Sequence, residues 1–186
     1  MEHSSITAAL KAVQARVEAS AQKQTKVNVG VADRAVAPYA RWLEYGWVQR
    51  VTVNQSRFLT MASGHVIAPG TALVMPPRPT FRATITAERD KWSQAFNGAC
   101  AHFGPEGLRD ALQIVAIMAQ QDIKTTIANG GTRNQKFEER HDLTMLLYQR
   151  EIKRKFKSKP TGGSMTTRQP LVKTGAFMDS IAWEFV

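Results

Sequence analysis

The stretch Met75-Pro76-Pro77-Arg78-Pro79-Thr80-Phe81 constrains this chain more than any other. Each proline fixes φ and removes a backbone donor, so neither a helix nor a central strand can run through the three prolines between positions 76 and 79. The element before Met75 ends there, a new one starts at Phe81, and the prolines set the angle between the two. Upstream, Trp47–Met75 reads as a long extended hairpin. Downstream, Phe81–Phe103 reads as one helix, with Phe81, Ile85, Trp92 and Phe96 near helical spacing.

Gly104-Pro105 closes that helix and opens a second, from Pro105 to about Ile127. Its face of Leu108, Leu112, Val115, Ala119 and Ile123 is widened by Ile114, Ile117 and Met118, which implies burial between other elements, and Asn129-Gly130-Gly131 ends it. Phe137–Phe156 carries a third stripe of Met145, Tyr148, Ile152 and Phe156, and Ser158–Gln169, with Pro160, Gly162 and Gly163, reads as a flexible connection. Nearer the start, Ile6, Leu10, Val13 and Val17 give Ser4–Lys23 one apolar stripe, with Ser4 or Ser5 as its cap. Val27–Val31 alternates as a half-buried strand, and Ala37–Gly46 reads as a short helix with Pro38 in its first turn and Gly46 at its cap. Ile181, Trp183 and Phe185 alternate in a closing strand, for which Val27–Val31 is the partner nearest in character.

The expected fold is α+β: a small, mostly antiparallel sheet with a long hairpin arm, packed against two or three long helices. One domain spans 1–186, with the arm at 47–75 and a basic, partly flexible insertion at 131–169. In the arm, Val51 and Val53 alternate with polar neighbours, Phe58-Leu59 come next, the tip falls near Gly64, and Val66-Ile67 and Ala72–Val74 return. A hairpin alone is marginal in water, so a long ordered one is expected to touch something outside its own domain. Phe58, Leu59, His65, Val66 and Ile67 are the contact candidates, and an ordinary sheet edge is the competing reading.

The net charge of +10, from 25 Lys and Arg against 15 Asp and Glu, favours a polyanion or an acidic protein as neighbour. Much of it gathers in Arg150, Lys153, Arg154, Lys155, Lys157 and Lys159, either a solvated face or a contact to DNA phosphates. No charge-free apolar run approaches the roughly 18 to 20 residues that cross a bilayer, and Met1–Ala21 lacks a signal peptide's apolar stretch, so the expected place of synthesis is the cytoplasm. The single Cys100 forbids an intrachain disulfide or a one-chain thiolate metal cage and reads as a core filler. Glu138 and His141 have Glu-x-x-His spacing, but a di-iron bundle needs a second copy, which the sequence lacks. His141-Asp142 matches the dipeptide of metal phosphohydrolases without their further ligands. His3, His65 and His102 are scattered, and Trp42, Trp47, Trp92 and Trp183 lie in amphipathic patterns that read as core packing. The expectation is a chain with no catalytic site, metal or cofactor.

Three stretches in order carry a resemblance: Trp42-Leu43-Glu44-Tyr45-Gly46, then Met75–Phe81, then Pro170-Leu171-Val172-Lys173-Thr174-Gly175 with Ser180-Ile181 and a final strand after it. Together they resemble the tail-completion, or neck, proteins of tailed bacteriophages, also called minor tail protein Z-like. The last is similar to that family's Pro-Leu-x-x-Thr-Gly motif, and the proline run to its Pro-x-Arg-Pro-Phe motif with Thr80 inserted before the aromatic. The resemblance covers Val27–Val186, and the segment Arg133–Thr167 is longer and more charged than the family pattern. It implies a non-enzymatic virion component at the head–tail junction: a homo-oligomeric ring, six-fold with twelve-fold as the alternative, that meets other neck and tail proteins and lets genomic DNA pass nonspecifically, with no membrane partner. Trp42, Tyr45 and Phe81 are then packing residues, Pro76, Pro77 and Pro79 set chain direction, Gly46 and Gly175 set turns, and Arg78, Pro170, Leu171 and Thr174 complete the motifs. Arg150, Lys153, Arg154, Lys155 and Lys157 are the candidate DNA-channel contacts. A nucleic-acid-binding module using 150–159 is the alternative function.

Overall fold

A computed structural model describes residues 26–147 and 175–186, together with Lys11. Strand β1 (Val27–Val31) is followed by helix α1 (Ala37–Tyr45), strand β2 (Trp47–Arg50), helix α2 (Val53–Ser63) and strand β3 (Ala72–Met75). The long helix α3 (Thr80–Phe103) and, after one 3-10 turn at Pro105–Gly107, the helix α4 (Leu108–Ala128) form an antiparallel pair. A short helix α5 begins at 142 and runs to the end of the described stretch at 147; α6 (Ala176–Asp179) and β4 (Ile181–Phe185) close the chain.

The fold is α+β, as expected. The closing strand pairs antiparallel with the first, Val27 opposite Phe185 and Val31 opposite Ile181, and this two-stranded sheet lies on α4, where Gln120 Nε2 donates to Ile181 O at 2.7 Å. The core joins residues of α1, α3, α4 and the closing segment with Phe137: Ala40, Leu43, Ala83, Ile123, Ile127, Phe137, Phe177 and Ile181. The α3–α4 interface also buries hydroxyls: Thr84 Oγ1 donates to Thr80 O at 2.7 Å and lies 2.8 Å from Thr126 Oγ1, so these buried polar groups are satisfied locally.

The proline run behaves as a joint, and its partner is the first motif. Arg78 N donates to Leu43 O at 2.6 Å. The Glu44 carboxylate, buried at the end of α1, accepts from Phe81 N at 3.0 Å and Arg82 N at 3.1 Å, the exposed amides that open α3. Pro79, at the cap position, offers no side-chain acceptor of its own, so the Glu44 carboxylate, 37 residues before Phe81, does the capping. Arg82 closes the contact, with Nε on Glu44 Oε1 at 3.0 Å, Nη2 on Glu44 O at 2.7 Å, and its guanidinium 4.8 Å from the Tyr45 ring centroid. Gly46 has φ +71° and ψ 176°, a region essentially closed to other residues, and a Cβ there would lie 2.7 Å from Met75 O and 3.0 Å from Pro77 N.

Several expectations are corrected. The segment Trp47–Met75 is not a continuous extended hairpin: only Trp47–Arg50 and Ala72–Met75 pair, Trp47 opposite Met75, while Phe58 and Leu59 lie in the inserted helix α2 and Gly64 is that helix's left-handed C-cap rather than a strand tip. Thr52 and Gln55 form a capping box that nucleates it, Gln55 N to Thr52 Oγ1 at 3.3 Å and Thr52 N to Gln55 Oε1 at 2.9 Å. The helix expected from Phe137 starts at 142. Residues 138 and 139 give their carbonyls to the buried Arg78 guanidinium, at 3.2 Å and 3.5 Å, and these are acceptors that a helix starting at Phe137 would turn to the amides four residues on. Trp42 and Tyr45 are 53% and 65% exposed and are not core residues, because α1 buries Ala40, Leu43 and Glu44 instead. Trp47, Trp92, Trp183 and Cys100 are only half-buried. The expected helix at Ser4–Lys23, apart from Lys11, lies outside the described residues, as do the run Arg150–Lys159 and Pro170–Thr174.

The Arg82 side chain is more than half exposed, so its ion pair with Glu44 is expected to contribute at most about 1 kcal/mol, whereas the two backbone bonds to a buried carboxylate are worth about 2–3 kcal/mol together. Urea unfolding should therefore show Glu44→Gln losing about 2–3 kcal/mol and Arg82→Gln about 1 kcal/mol or less. Equal losses would place the strength of the joint in the ion pair. Across the helix pair, a hydrogen bond from Lys91 to Asp122, 2.7 Å long, raises the lysine pKa, with Glu88 assisting and desolvation opposing. The raised value means that this contribution is complete below the ordinary 10.5 and is lost as pH rises through the higher folded value. Because Lys91 is 45% exposed the effect is small, and the test is whether Asp122→Asn flattens the decline in stability on the alkaline side.

Candidate functional site

Among the described residues no group of three or more His, Cys, Asp or Glu side chains is placed to hold a metal. Glu138 is outside any helix and His141 precedes α5, so the Glu-x-x-His spacing does not put the two on one helical face; His141 Nδ1 instead accepts from Leu143 N at 3.2 Å. An open cleft of about 360 Å³ lies beside the joint, lined by Pro77, Pro79, Arg82, Ala83, Thr86 and Thr132 among others. Its described lining contains no nucleophile with an adjacent base. No described helix is long and apolar enough to cross a membrane.

The described chain presents surface instead. At the root of the arm 47–75 Trp47 Nε1 donates to Met75 Sδ at 2.8 Å, tying its two strand ends together, and Gly46 abuts Met75 and Pro77. Beyond the root, β2 and β3 pack on each other, and α2 packs extensively on none of the other described elements. Within the arm Val51 and Leu59 are buried, 3% and 7% exposed. Polar clips close it: Ser56 Oγ donates to Ile67 O at 2.6 Å, Ile67 N to Thr60 Oγ1 at 2.9 Å, and Val51 N to Thr71 O at 2.9 Å.

Of the contact candidates, Phe58, His65 and Val66 are exposed, Ile67 is half-buried, and Leu59 is buried. Met61, one turn from Phe58, and the cross-strand pair Val48 and Val74 are also exposed, and sequence reasoning misses all three. The signal for Val48 and Val74 is the pleat: in a two-stranded ribbon one face has nothing to cover it. The third motif meets the first two in the core, where its Ile181 lies in one cluster with Leu43, Phe81 packs against that cluster, and Phe177, between Gly175 and Ser180, stands edge-on to Phe81 at 6.4 Å and to Tyr39 at 6.5 Å. The described residues thus bring parts of all three motifs into one neighbourhood.

Stability and contact separate cleanly on α2. Leu59→Ala should cost about 2–3 kcal/mol of unfolding free energy, and Phe58→Ser, on the exposed face, less than about 0.5 kcal/mol, measured by thermal or urea unfolding.

No family model, curated protein or solved structure matches this chain.

Proposed function

We propose that the protein is a non-enzymatic structural component of a tailed-phage virion at the head–tail junction, where identical copies form a ring around the DNA channel and join tail to head. The observation that carries this reading is the convergence of the sequence motifs on one joint. Leu43, Glu44 and Gly46 from the first motif lock onto Met75, Pro77, Arg78 and Phe81 from the second, and Phe177 packs against Phe81.

A joint of this kind suits an assembly protein. It fixes the direction in which the arm leaves the body, and that arm exposes Val48, Phe58, Met61, Val66 and Val74. Apolar side chains displayed on an ordered arm favour contact with another protein surface. A contact between an arm and a different surface on an identical copy is heterologous, and repeated around a closed rotation it yields a ring. The contact candidates Phe58, His65, Val66 and Ile67 belong to this arm.

Negative-stain electron microscopy and sedimentation of the purified full chain test the reading. Closed rings of uniform size are expected, with Phe58→Ser together with Met61→Ser reducing them to folded monomers. A wild-type chain that remains monomeric at all concentrations, or that assembles only into open filaments, contradicts the proposal.

A further inference from the structure

The register of each two-stranded ribbon decides which backbone groups it leaves over. In the body sheet Ala32 N donates to Ser180 O at 2.8 Å and Val186 N to Lys26 O at 2.9 Å, so the pairs that exchange hydrogen bonds are the even-numbered positions of β1 and β4. Val27, Val29 and Val31 therefore turn their N–H and C=O groups to the outer edge of β1. On the corresponding edge of β4, Ile181 O is taken by Gln120 Nε2 at 2.7 Å. No described group takes those of β1.

The arm repeats the pattern. Val51 N donates to Thr71 O at 2.9 Å, and from there the alternation turns outward the backbone of Val48 and Arg50 on β2 and of Ala72 and Val74 on β3. An open edge is a template for another strand, and chains blunt it with a charge, a proline or a cover. β2 carries Arg50 among its outward residues. Val27-Asn28-Val29-Gly30-Val31 and Ala72-Leu73-Val74-Met75 contain neither charge nor proline, and Ala72 and Val74 are exposed.

We infer that β3 in the arm of one copy pairs along the outer edge of β1 in the next, joining the two ribbons into one intermolecular sheet. Donors and acceptors alternating at strand spacing are met in full only by another extended chain. The choice among strands follows from their edges. That of β4 is engaged by Gln120, that of β2 carries an arginine, and a second β1 would close a two-fold pair with no β1 edge left for a third copy. β3 remains, uncharged and on the part of the chain that leaves the body. Pairing of unlike edges is heterologous, as a ring requires, so the inference deepens the ring proposal and rests on it for the identity of the partner.

The test treats the full chain, carrying Cys100→Ala, with a short bis-maleimide after adding Asn28→Cys, Val74→Cys or both, and counts rings in the same samples. Asn28 and Val74 are both exposed. The double variant is expected to give a ladder of covalent oligomers and each single variant none. In the unmodified background Val74→Pro deletes an outward N–H while leaving the β2 ladder intact, and should raise the concentration for half-assembly about tenfold; Val74→Thr keeps that N–H and should raise it less than about threefold. The cross-links are read without any proline, so they decide the matter whether or not Val74→Pro keeps the arm folded. Cross-linked dimers from Asn28→Cys alone overturn the inference in favour of a two-fold β1 pair. Equal losses from proline and threonine overturn it by placing the contact in the Val74 side chain. Rings without cross-links defeat this inference and leave the ring reading standing. A ladder in a chain that never closes into rings does the reverse.

Discussion

The Glu44 carboxylate on the first amides of α3 is the contact on which the rest of this structure depends. A long helix that starts directly after a proline run has no side chain of its own at the cap, and its exposed N–H groups favour negative charge. Supplying that charge from the end of α1 fixes α1 against α3. Once these two are fixed, Arg78 N reaches Leu43 O, Gly46 closes on Met75 and Pro77, and the arm can leave the body in one direction only. The buried Arg78 side chain passes the constraint on, by holding the backbone at Glu138 and Glu139 and so deciding where the chain after α4 turns.

Much of the fold is legible in the sequence because its strongest signals are local. The paired helices α3 and α4 can be read from their apolar stripes and from Gly104-Pro105 between them, and the pairing of Val27–Val31 with Ile181–Phe185 from period-two alternation at both ends of the chain. The arm shows where local reading fails. Val51 and Val53 alternate like a strand, yet Thr52-Val53-Asn54-Gln55 is a capping box, and the two reciprocal hydrogen bonds it makes prevail over two valines. The late start of α5 is not legible, since it depends on an arginine 60 residues upstream claiming the carbonyl of Glu138.

The candidate surface is legible in part. Phe58 and Val66 stand out from the apolar content of the arm, but Leu59 separates from Phe58 only once α2 is known to be a helix with one face turned inward. Trp42 and Tyr45 read as core because aromatics usually are, and their exposure becomes apparent only when Ala40, Leu43 and Glu44 are seen to occupy the buried face of α1. Their position beside Arg41 and Arg82 turns an apparent packing motif into a surface, and the same five-residue motif thus supplies both the cap that builds the joint and the ring-bearing face outside it.

The central claim is that a joint between α1 and α3 aims the arm 47–75 at a neighbouring copy. Single-particle electron microscopy of the assembled protein tests it most directly. The account predicts that residues 47–75 lie against an adjacent subunit with Phe58, Met61 and Val66 in the contact, and that Glu44 still caps α3 in every copy. An assembly whose subunits meet through other surfaces, with the arm folded back on its own chain, would contradict it.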